Sequence, residues 1–405
     1  MLFQHIMLTY SDAQMLYGFS KGVITMIYFD NSATTKPHEQ VLTSYTKVAS
    51  DFFGNPSSLH TLGLEAENLL EKSRKLMAEE FQVKAKEIMF TSGGTEGNNL
   101  AIKGTVFAKR KKGHLITTMI EHASSYEVFQ ELEALGYEVS YLSVNHEGKI
   151  SVEELKQTIR DHTILVSVIH VNNETGSIQP IEEVGKFLKN YPQIRFHVDH
   201  VQGAIKVPLK VYEYGIDMCT ISAHKFHGLK GTGMLYVKEG HRLSPLLHGG
   251  SQELKFRAGT ENTAGIVAMT KAFRLERERQ LQGNLKLNHL KNLLIEGLKA
   301  IEHVTINTPS EGSAPHIVNF SVGNIKPEIL IQALAKEEIY VSTRSACSSK
   351  ISQPSRVLLA MGLDDTKANS AIRISFSYDN TEEEVEMVLN HLKQYIPHFL
   401  SVTRV

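Results

Sequence analysis

The sequence predicts an α/β fold in which a large domain, built on a mostly parallel sheet of about seven strands, is followed by a smaller α+β domain. Between residues 87 and 239, short apolar or β-branched runs alternate with helical patterns. Several of these runs are continuously apolar, as expected for strands buried on both faces. The strand candidates are EIMFTSG, HLITTMIEH, EVSYLSV, TILVSVIHV, RFHVDHVQ, DMCTISAHK and GMLYVKE.

The remaining elements follow a long helical pattern between Ala264 and about His303. After it come a strand candidate, HIVNFSV, a helix that opens at Pro327, a helix through RVLLAMGL, the strand AIRISFS and a helix from Thr381. We therefore predict a large domain over 40–280 and a small domain formed by 26–39 together with 281–405. Residues 1–25 are predicted to be a disordered extension, or the product of a start codon placed upstream of Met26.

Composition and charge limit the class of protein. The 405 residues are 41% hydrophobic, and 43 Lys plus Arg balance 44 Asp plus Glu to a net charge of -1. The chain as a whole therefore has no excess of positive charge of the kind that binds nucleic acid. Residues 1–25 resemble neither a signal peptide nor a membrane span. Two distant cysteines offer neither a disulfide framework nor a metal-binding spacing, so we expect a cytoplasmic protein without a bound metal.

Lys225 is the strongest candidate for chemistry. It lies in TISAHKFHGLKGTG, between a predicted buried strand and a glycine-containing turn. A lysine at a strand end, beside Ser222 and His224, is placed to bond covalently to a cofactor that carries a carbonyl group. The alternative is a surface lysine that merely follows a strand.

Two further segments complement Lys225. Asp199 ends the predicted strand in RFHVDHVQ, where ligand-facing residues of parallel sheets collect, and its carboxylate could pair with a pyridinium nitrogen. Its alternative role is a helix N-cap. TSGGTEGNN places glycines and Thr95 between a strand and a helix, so its backbone N–H groups could hold a phosphate.

The two cysteines have different surroundings. Cys347 lies in VSTRSACSSK, among small hydroxyl residues and between Arg344 and Lys350, which is typical of a reactive thiol near positive charge. An idle loop cysteine is the alternative. Cys219 lies within the strand candidate DMCTISAHK and is predicted to be a core residue.

From about Met26 to the C-terminus, the chain resembles the pyridoxal-phosphate enzymes of fold type I and, among them, the NifS/IscS-type cysteine desulfurases of the class V aminotransferase family. The motifs that carry the resemblance occur in family order: YFDNSATT, FGNPSS, TSGGTEGNN, EHAS, HVNNETG, HVDHVQ, SAHK, HGG, RAGTEN, RSACSS and AIRISFS.

The resemblance implies roles for individual residues. Lys225 would bond pyridoxal 5′-phosphate, Asp199 would pair with the ring nitrogen, and His122 would stack on the ring and move protons. Asn173 would lie beside cofactor and substrate, and Cys347 would be the nucleophile. The remaining implied roles are Gln202 at the ring hydroxyl, Arg373 on the substrate carboxylate, Gly94, Thr95, Ser222 and His224 at the phosphate, and Thr260 completing the phosphate site of a neighbouring subunit.

These roles imply a homodimer with shared sites that converts L-cysteine to L-alanine and a persulfide on Cys347. No direct contact with nucleic acid or membrane is expected. The motifs leave the identity of the sulfur acceptor open. Only PHFLSVTRV follows the last predicted helix, which suggests a short-tailed, NifZ-like branch of the family. For this branch we expect the acceptor to be a ThiI-like tRNA sulfurtransferase that makes 4-thiouridine. An iron–sulfur scaffold protein is the alternative acceptor. An aminotransferase or selenocysteine lyase of the same fold, or a silent sulfur-relay subunit, are the alternative functions. Arg344 replaces a small residue common in the family, which leaves acceptor preference open.

Overall fold

The computed structural model of this protein describes residues 26–109, 111–343 and 354–403. The predicted extension 1–25 and the residues Arg344, Cys347 and Lys350 lie outside the described residues. Within them, the prediction of an α/β fold with a seven-stranded sheet is confirmed. None of the described helices is both long and apolar enough to cross a membrane.

The described strands form two larger sheets and one short pair. The strands are β1 (Ile27–Tyr28), β2 (Ile88–Thr91), β3 (His114–Thr118), β4 (Glu138–Leu142), β5 (Thr163–Ile169), β6 (Arg195–Asp199), β7 (Met218–Ser222), β8 (Gly233–Val237), β9 (Val304–Ile306), β10 (Ile317–Val322), β11 (Ile339–Tyr340) and β12 (Ala371–Ser375). The large sheet has the order β2-β8-β7-β6-β5-β3-β4, the small sheet has the order β12-β10-β9, and β1 pairs with β11.

The helices of the described chain pack around these sheets. They are α1 (Glu39–Asp51), α2 (Thr61–Phe81), α3 (Gly94–Phe107), α4 (Ala123–Ala134), α5 (Val152–Thr158), α6 (Ile181–Leu188), α7 (Thr263–Lys299), α8 (Pro327–Lys336), α9 (Arg356–Ala360), α10 (Asp365–Asn369) and α11 (Glu382–Thr403). Short 3-10 turns lie at Ala85–Glu87, Ala223–Lys225 and Glu253–Lys255. The last helix runs seven residues beyond the sequence prediction, and Pro397 lies inside it.

The large sheet is parallel except at β8, which runs antiparallel to both β2 and β7. The connection from β7 to β8 contains only the turn Ala223–Lys225. Without a crossover helix, a strand has to return in the opposite direction. Because β8 reverses the direction once on each side, β2 is again parallel to the rest of the sheet.

The long helix α7 joins two hydrophobic cores. Its first half places Ile266 and Met269 in a core with β2 and β8, on one face of the large sheet. Its second half places Leu287 and Leu294 in a core with β10, β12 and α11. Ile27 and Phe29 also lie in this second core, although they are far away in sequence. The division into domains at residues 39/40 and 280/281 stays a prediction.

Candidate active site

A pocket of about 150 Å³ lies where the carboxyl ends of the parallel strands β2, β3, β5, β6 and β7 meet. This edge is where parallel sheets present ligand-binding side chains. The residues that line the pocket are Ser32, Ala33, Gly94, Thr95, His122, Ser124, Ile169, Asn173, Asp199, Val201, Gln202, Ser222, His224, Lys225 and Arg373. Every predicted site residue is among them except Thr260 and Cys347.

Lys225 lies in the turn after β7 and reaches the segment that follows β1. Its Nζ donates to the carbonyl oxygens of Ala33, at 2.9 Å, and Ser32. Gln202 donates to the same Ser32 oxygen from its Nε2, at 2.9 Å. The amine is therefore held at the pocket wall by backbone dipoles of one turn.

Asp199 ends β6 and is almost fully buried, with 3% of its surface exposed. Its Oδ2 accepts a 2.7 Å hydrogen bond from Asn98 Nδ2, and its Oδ1 accepts the Val201 N–H at 3.0 Å. Burial raises the pKa of this carboxyl, whereas the two hydrogen bonds and the charge of Lys225 oppose the rise. The side chain is thus a buried, hydrogen-bonded carboxyl group that lines the pocket.

His122 caps the N-terminus of α4. Its Nδ1 accepts the Ser124 N–H at 3.1 Å, so a neutral ring carries its proton on Nε2. Burial, together with the positive charges of Lys225, Arg356 and Arg373, lowers the pKa of His122 to about 4. The imidazole is therefore uncharged at neutral pH.

The N-terminus of α3 forms an anion-binding cradle. The first bond of this helix joins Gly97 N–H to Gly93 O at 3.1 Å, which leaves the N–H groups of residues 94–96 outside the helical pattern. A Cβ at Gly94 would lie 2.9 Å from Val201 Cγ2, so any larger residue would require Val201 to move. Ser222 lies beside this glycine, and its Cβ would be 3.5 Å from the added atom.

His224 and Thr34 extend this side of the pocket. The Nδ1 of His224 lies 3.2 Å from Thr34 Oγ1. Burial, with contributions from Lys225 and Lys230, lowers the pKa of His224 to about 3. A neutral ring at this position offers one hydrogen-bond donor without adding a charge.

Arg373 reaches the pocket from β12 of the small sheet, and its side chain is 1% exposed. Its Nη1 donates to Asn173 O at 2.8 Å, and its Nη2 forms an ion pair with Asp30 Oδ1 at 2.9 Å. Among the described residues its Nε has no hydrogen-bond partner. Arg373 therefore forms an internal ion pair and also lines the pocket.

Three further predictions concern Thr260, Cys347 and Cys219. Thr260 is exposed and does not line it. Cys347 lies outside the described residues. Cys219 is fully buried, and burial raises the pKa of its thiol far above the ordinary value, so the prediction of a core residue is confirmed.

His38, His227 and Glu276 form the described cluster that comes nearest to a metal site. The two imidazole rings are stacked with centroids 4.4 Å apart and planes inclined by 14°. His38 Nε2 lies 2.9 Å from Glu276 Oε1, and Arg279 Nη1 donates to the same oxygen at 3.0 Å. This geometry is a hydrogen-bonded cluster beside the Lys225 turn.

Several partners of the site residues were not singled out from the sequence. Asn98, Ser124 and Asp30 each bond a predicted site residue, and each lies within a quoted motif, TSGGTEGNN, EHAS or YFDNSATT. Membership of these motifs was the feature of the sequence that could have pointed to the three residues. Which side chain in a motif turns toward the site depends on contacts with other segments.

Comparisons with known proteins agree with this geometry. Residues 27–388 match the family model described as Aminotransferase class-V. A protein of Lactobacillus delbrueckii subsp. bulgaricus, described as a NifS/IcsS protein homolog, is 45% identical over 380 residues, which cover 93% of this chain and 99% of that protein. The cysteine desulfurase IscS of Dictyoglomus turgidum is 41% identical over 382 residues, which cover 93% of this chain and 96% of that protein.

Solved structures give the same result. A NifS-like protein superposes with a TM-score of 0.87 at 37% identity, covering 92% of this chain and 100% of that chain. A structure described as SspA in complex with cysteine superposes with a TM-score of 0.77 at 34% identity, covering 88% of this chain and 100% of that chain. The resemblance identified from the motifs is confirmed. The chain belongs to the class V aminotransferase family, among the pyridoxal 5′-phosphate-dependent cysteine desulfurases of the NifS/IscS type.

Proposed function

We propose that this pocket binds L-cysteine, transfers its sulfur to Cys347 and releases L-alanine, and that the persulfide then passes to an acceptor protein. The observation that supports the proposal best is the convergence of three groups on one pocket. These are the amine of Lys225, the buried carboxylate of Asp199 and the guanidinium of Arg373.

The pocket residues fit pyridoxal 5′-phosphate. The glycine-lined start of α3 offers N–H groups to a phosphate, and a side chain larger than glycine at Gly94 would clash with Val201. Gly94, Thr95, Ser222 and His224 would hold the phosphate, and Lys225 would hold the aldehyde carbon covalently. When bound, the cofactor supplies an electron sink for cleavage of the carbon–sulfur bond.

Asp199 would keep the ring nitrogen protonated. Its two hydrogen bonds, from Asn98 and the Val201 N–H, favour the ionised carboxylate in a buried place. An ionised carboxylate at this position would stabilise a proton on the ring nitrogen of the bound cofactor. Gln202 would contact the ring hydroxyl from the same segment.

Arg373 would bind the α-carboxylate of L-cysteine. A guanidinium has five N–H donors in a plane, and the two contacts to Asn173 O and Asp30 use only two of them. The unpartnered Nε is among the donors left for a carboxylate. Asn173, whose carbonyl holds Arg373, would orient the substrate next to the cofactor.

His122 would stack on the cofactor ring and move a proton. Its neutral ring has the proton on Nε2, because Nδ1 accepts from Ser124 N–H. A ring that is neutral at pH 7 can accept a proton from the cysteine thiol and return it later to carbon. Lys225, whose amine lies at the wall of the same pocket, would also move protons at the substrate.

The sulfur transfer balances without an external oxidant. The Cys347 thiolate attacks the substrate sulfur, a sulfur–sulfur bond forms, and the Cβ–S bond breaks. The electron pair of the broken bond stays with Cβ, which then takes up one proton to become the methyl group of alanine. The thiol proton of the substrate is removed before attack, so that L-cysteine and a thiol give L-alanine and a persulfide.

Cys347 is close enough in sequence to reach the pocket. Ser342 forms two backbone hydrogen bonds with Arg373, at 2.7 and 3.1 Å. Five residues of extended chain span at most about 17 Å. Cys347 lies five residues after Ser342 in the sequence, so this anchor supports its role as the nucleophile.

We propose a homodimer in which Thr260 completes the phosphate site of the partner subunit. Thr260 is exposed and lies outside the pocket of its own chain, which supports a role across an interface. Phe53 and Leu59 are also strongly exposed, at 72% and 93%, and apolar surface of this kind favours association.

For the acceptor, we propose a ThiI-like tRNA sulfurtransferase, with an iron–sulfur scaffold protein as the competing candidate. Arg344 and Lys350 flank Cys347 in the sequence and would meet the acceptor. The test loads the enzyme with labelled sulfur, mixes it with each acceptor, and repeats the transfer with Arg344→Glu. Faster transfer to the scaffold protein would contradict the choice of acceptor, and an unchanged rate for Arg344→Glu would contradict the docking site.

Product analysis tests the reaction class. Incubation with L-cysteine is expected to give alanine and persulfide or sulfide in equal amounts. An aminotransferase would instead give an oxoacid and the amine form of the cofactor, and this result would overturn the proposal. Comparing kcat/KM for L-cysteine and L-selenocysteine tests the selenocysteine lyase alternative.

A further inference from the structure

Arg356, the first residue of α9, lies against the turn that carries His122. Its Nη2 donates to the carbonyl oxygen of Glu121 at 2.5 Å, and its Nη1 donates to the carbonyl oxygen of Met119. The guanidinium carbon lies 3.6 Å from the centre of the Tyr126 ring. One side chain therefore holds two backbone carbonyls and one aromatic face at the same time.

The residues that Arg356 contacts lie before and after His122 in the sequence. Glu121 precedes it, and Tyr126 is one helical turn after it, with its N–H donating to His122 O at 2.9 Å. A planar guanidinium can donate to two carbonyls while its face lies on a ring, whereas a lysine ammonium is a single point of charge. The contact set therefore requires an arginine.

The neighbours of Arg356 contact two other segments that contribute to the pocket. Ser355 Oγ donates to Glu174 Oε2 at 2.6 Å, and Glu174 follows Asn173 in sequence. Leu358 of α9 packs in the same hydrophobic cluster as Ile169, which lines the pocket. The start of α9 is thus fixed to two walls of the site.

We propose that Arg356 is a positioning residue that fixes the orientation of the His122 ring over the cofactor pocket and connects His122 to the chain that follows Cys347. The inference rests on the proposed function, in which His122 stacks on the cofactor and moves a proton. Arg356 itself does not line the pocket.

The charges around His122 support this role. Burial is the main reason why the pKa of His122 is low, and Lys225, Arg356 and Arg373 add to the effect from three different elements. Glu121, next in sequence, has its own pKa raised to about 8 by burial, so it offers little opposing charge at neutral pH. Removing the charge of Arg356 is therefore expected to raise the pKa of His122.

The experiment compares Arg356→Lys, Arg356→Met and a matched control, Arg274→Gln. Arg274 is half exposed, and its only ion pair among the described residues is a 3.9 Å contact with Glu278. In the holoenzyme, Arg356→Lys is expected to lower kcat roughly tenfold or more, with KM for L-cysteine changed less than about threefold, because misplacing a proton-transfer group acts on the chemical step. The control should retain both constants.

A second readout does not depend on turnover. Histidine ring NMR of the full chain before cofactor is added, with His122 assigned by its loss in His122→Gln, should show a moved signal in both Arg356 variants. Its titration should shift to higher pH in Arg356→Met only, since lysine keeps the charge. The visible circular dichroism of the bound cofactor should also change in both variants.

Wild-type kcat in Arg356→Lys together with an unmoved His122 signal would overturn the inference. So would a variant that loses stability but keeps wild-type kcat per bound cofactor, because this is the result of a purely structural role. If the Arg356 variants do not fold, Tyr126→Leu, which removes the ring under the guanidinium, should give the same kcat loss and the same NMR change in weaker form. Failure of the wild-type enzyme to make alanine would overturn the proposed function instead, and the NMR comparison would still decide the Arg356 contact.

Discussion

The side-chain amide of Asn98 donates a 2.7 Å hydrogen bond to Oδ2 of Asp199, and both residues are buried. Asn98 lies in the first turns of α3, the helix whose N-terminus forms the anion cradle. The same helix therefore offers N–H groups to a phosphate and a neutral donor to the carboxylate that would face the ring nitrogen. Burial raises the pKa of Asp199, and Asn98 opposes this rise.

Replacement of Asn98 by leucine is expected to weaken catalysis by favouring the protonated form of Asp199. A hydrogen bond to a charged group contributes about 1.5–3 kcal/mol, which corresponds to roughly a 10- to 100-fold loss of kcat. Because the pKa of Asp199 rises further, the acid limb of the pH–rate profile should move to higher pH. Steady-state kinetics between pH 5 and 9 measures both effects, and Asn288→Ala, an exposed asparagine, is the control. A profile identical to wild type would show that Asn98 does not tune Asp199.

Arg373→Lys is expected to raise KM for L-cysteine by roughly tenfold or more, because lysine keeps the charge but loses the planar donor fork. The matched control is Arg195→Lys, at a partly exposed arginine that donates to Pro192 O. If the variant loses thermal stability while KM stays the same, the ion pair with Asp30 is the only role of Arg373 and its proposed contact with substrate is wrong.

Mixed dimers test whether Thr260 acts across the interface. Lys225→Ala and Thr260→Ala homodimers should each be impaired, the first below detection and the second through weaker cofactor binding. A purified heterodimer of the two variants should regain about half of the wild-type activity, since one of its two sites is then complete. If activity does not recover, Thr260 acts in the phosphate site of its own subunit and not in that of the partner.

The fully buried His197 is expected to make the fold sensitive to acid. It lies 2.8 Å from Ser167 Oγ and 3.0 Å from Thr220 Oγ1, and burial lowers its pKa to about 3. The pKa of a histidine in the unfolded chain is near 6.5, so between about pH 3 and pH 6.5 the unfolded state binds more protons than the folded state. The contribution of His197 to stability is therefore complete above pH 6.5 and falls as the pH drops toward 3.

For a histidine with these two pKa values, the free energy of unfolding at pH 5 is lower by about 2 kcal/mol than at neutral pH. Urea unfolding at pH 7 and pH 5, at one protomer concentration, measures it. His197→Gln is expected to be less stable than wild type at pH 7. Between pH 7 and pH 5, however, its free energy of unfolding should fall by about 2 kcal/mol less than that of wild type. Equal losses in both proteins would mean that His197 is not the titrating group.

Much of the site could be predicted because its residues follow strand ends and lie in local motifs. His122, Asp199 and Lys225 each come at or soon after the carboxyl end of a parallel strand, and the sheet alone brings such ends together. The composition of each motif then indicated which side chains carry chemistry.

The contacts between segments could not be read from spacing. Asp30 and Arg373 are 343 positions apart, and the backbone oxygens that hold Lys225 are more than 190 positions away from it. The direction of β8 was not singled out either, although the missing crossover helix between β7 and β8 was the available signal. Arg356 stands in RVLLAMGL, where the apolar pattern predicts only a helix.

Mass spectrometry of the two cysteines after incubation with L-cysteine tests the central claim most directly. Cys347 is expected to become heavier by one sulfur atom, whereas Cys219, buried in β7, should stay unmodified and serves as the internal control. Cys347→Ser should bind the cofactor normally and form no persulfide, and Lys225→Ala should form none because it cannot bond the cofactor covalently. Persulfide on Cys219, or full alanine and sulfide formation by Cys347→Ser, would contradict the account.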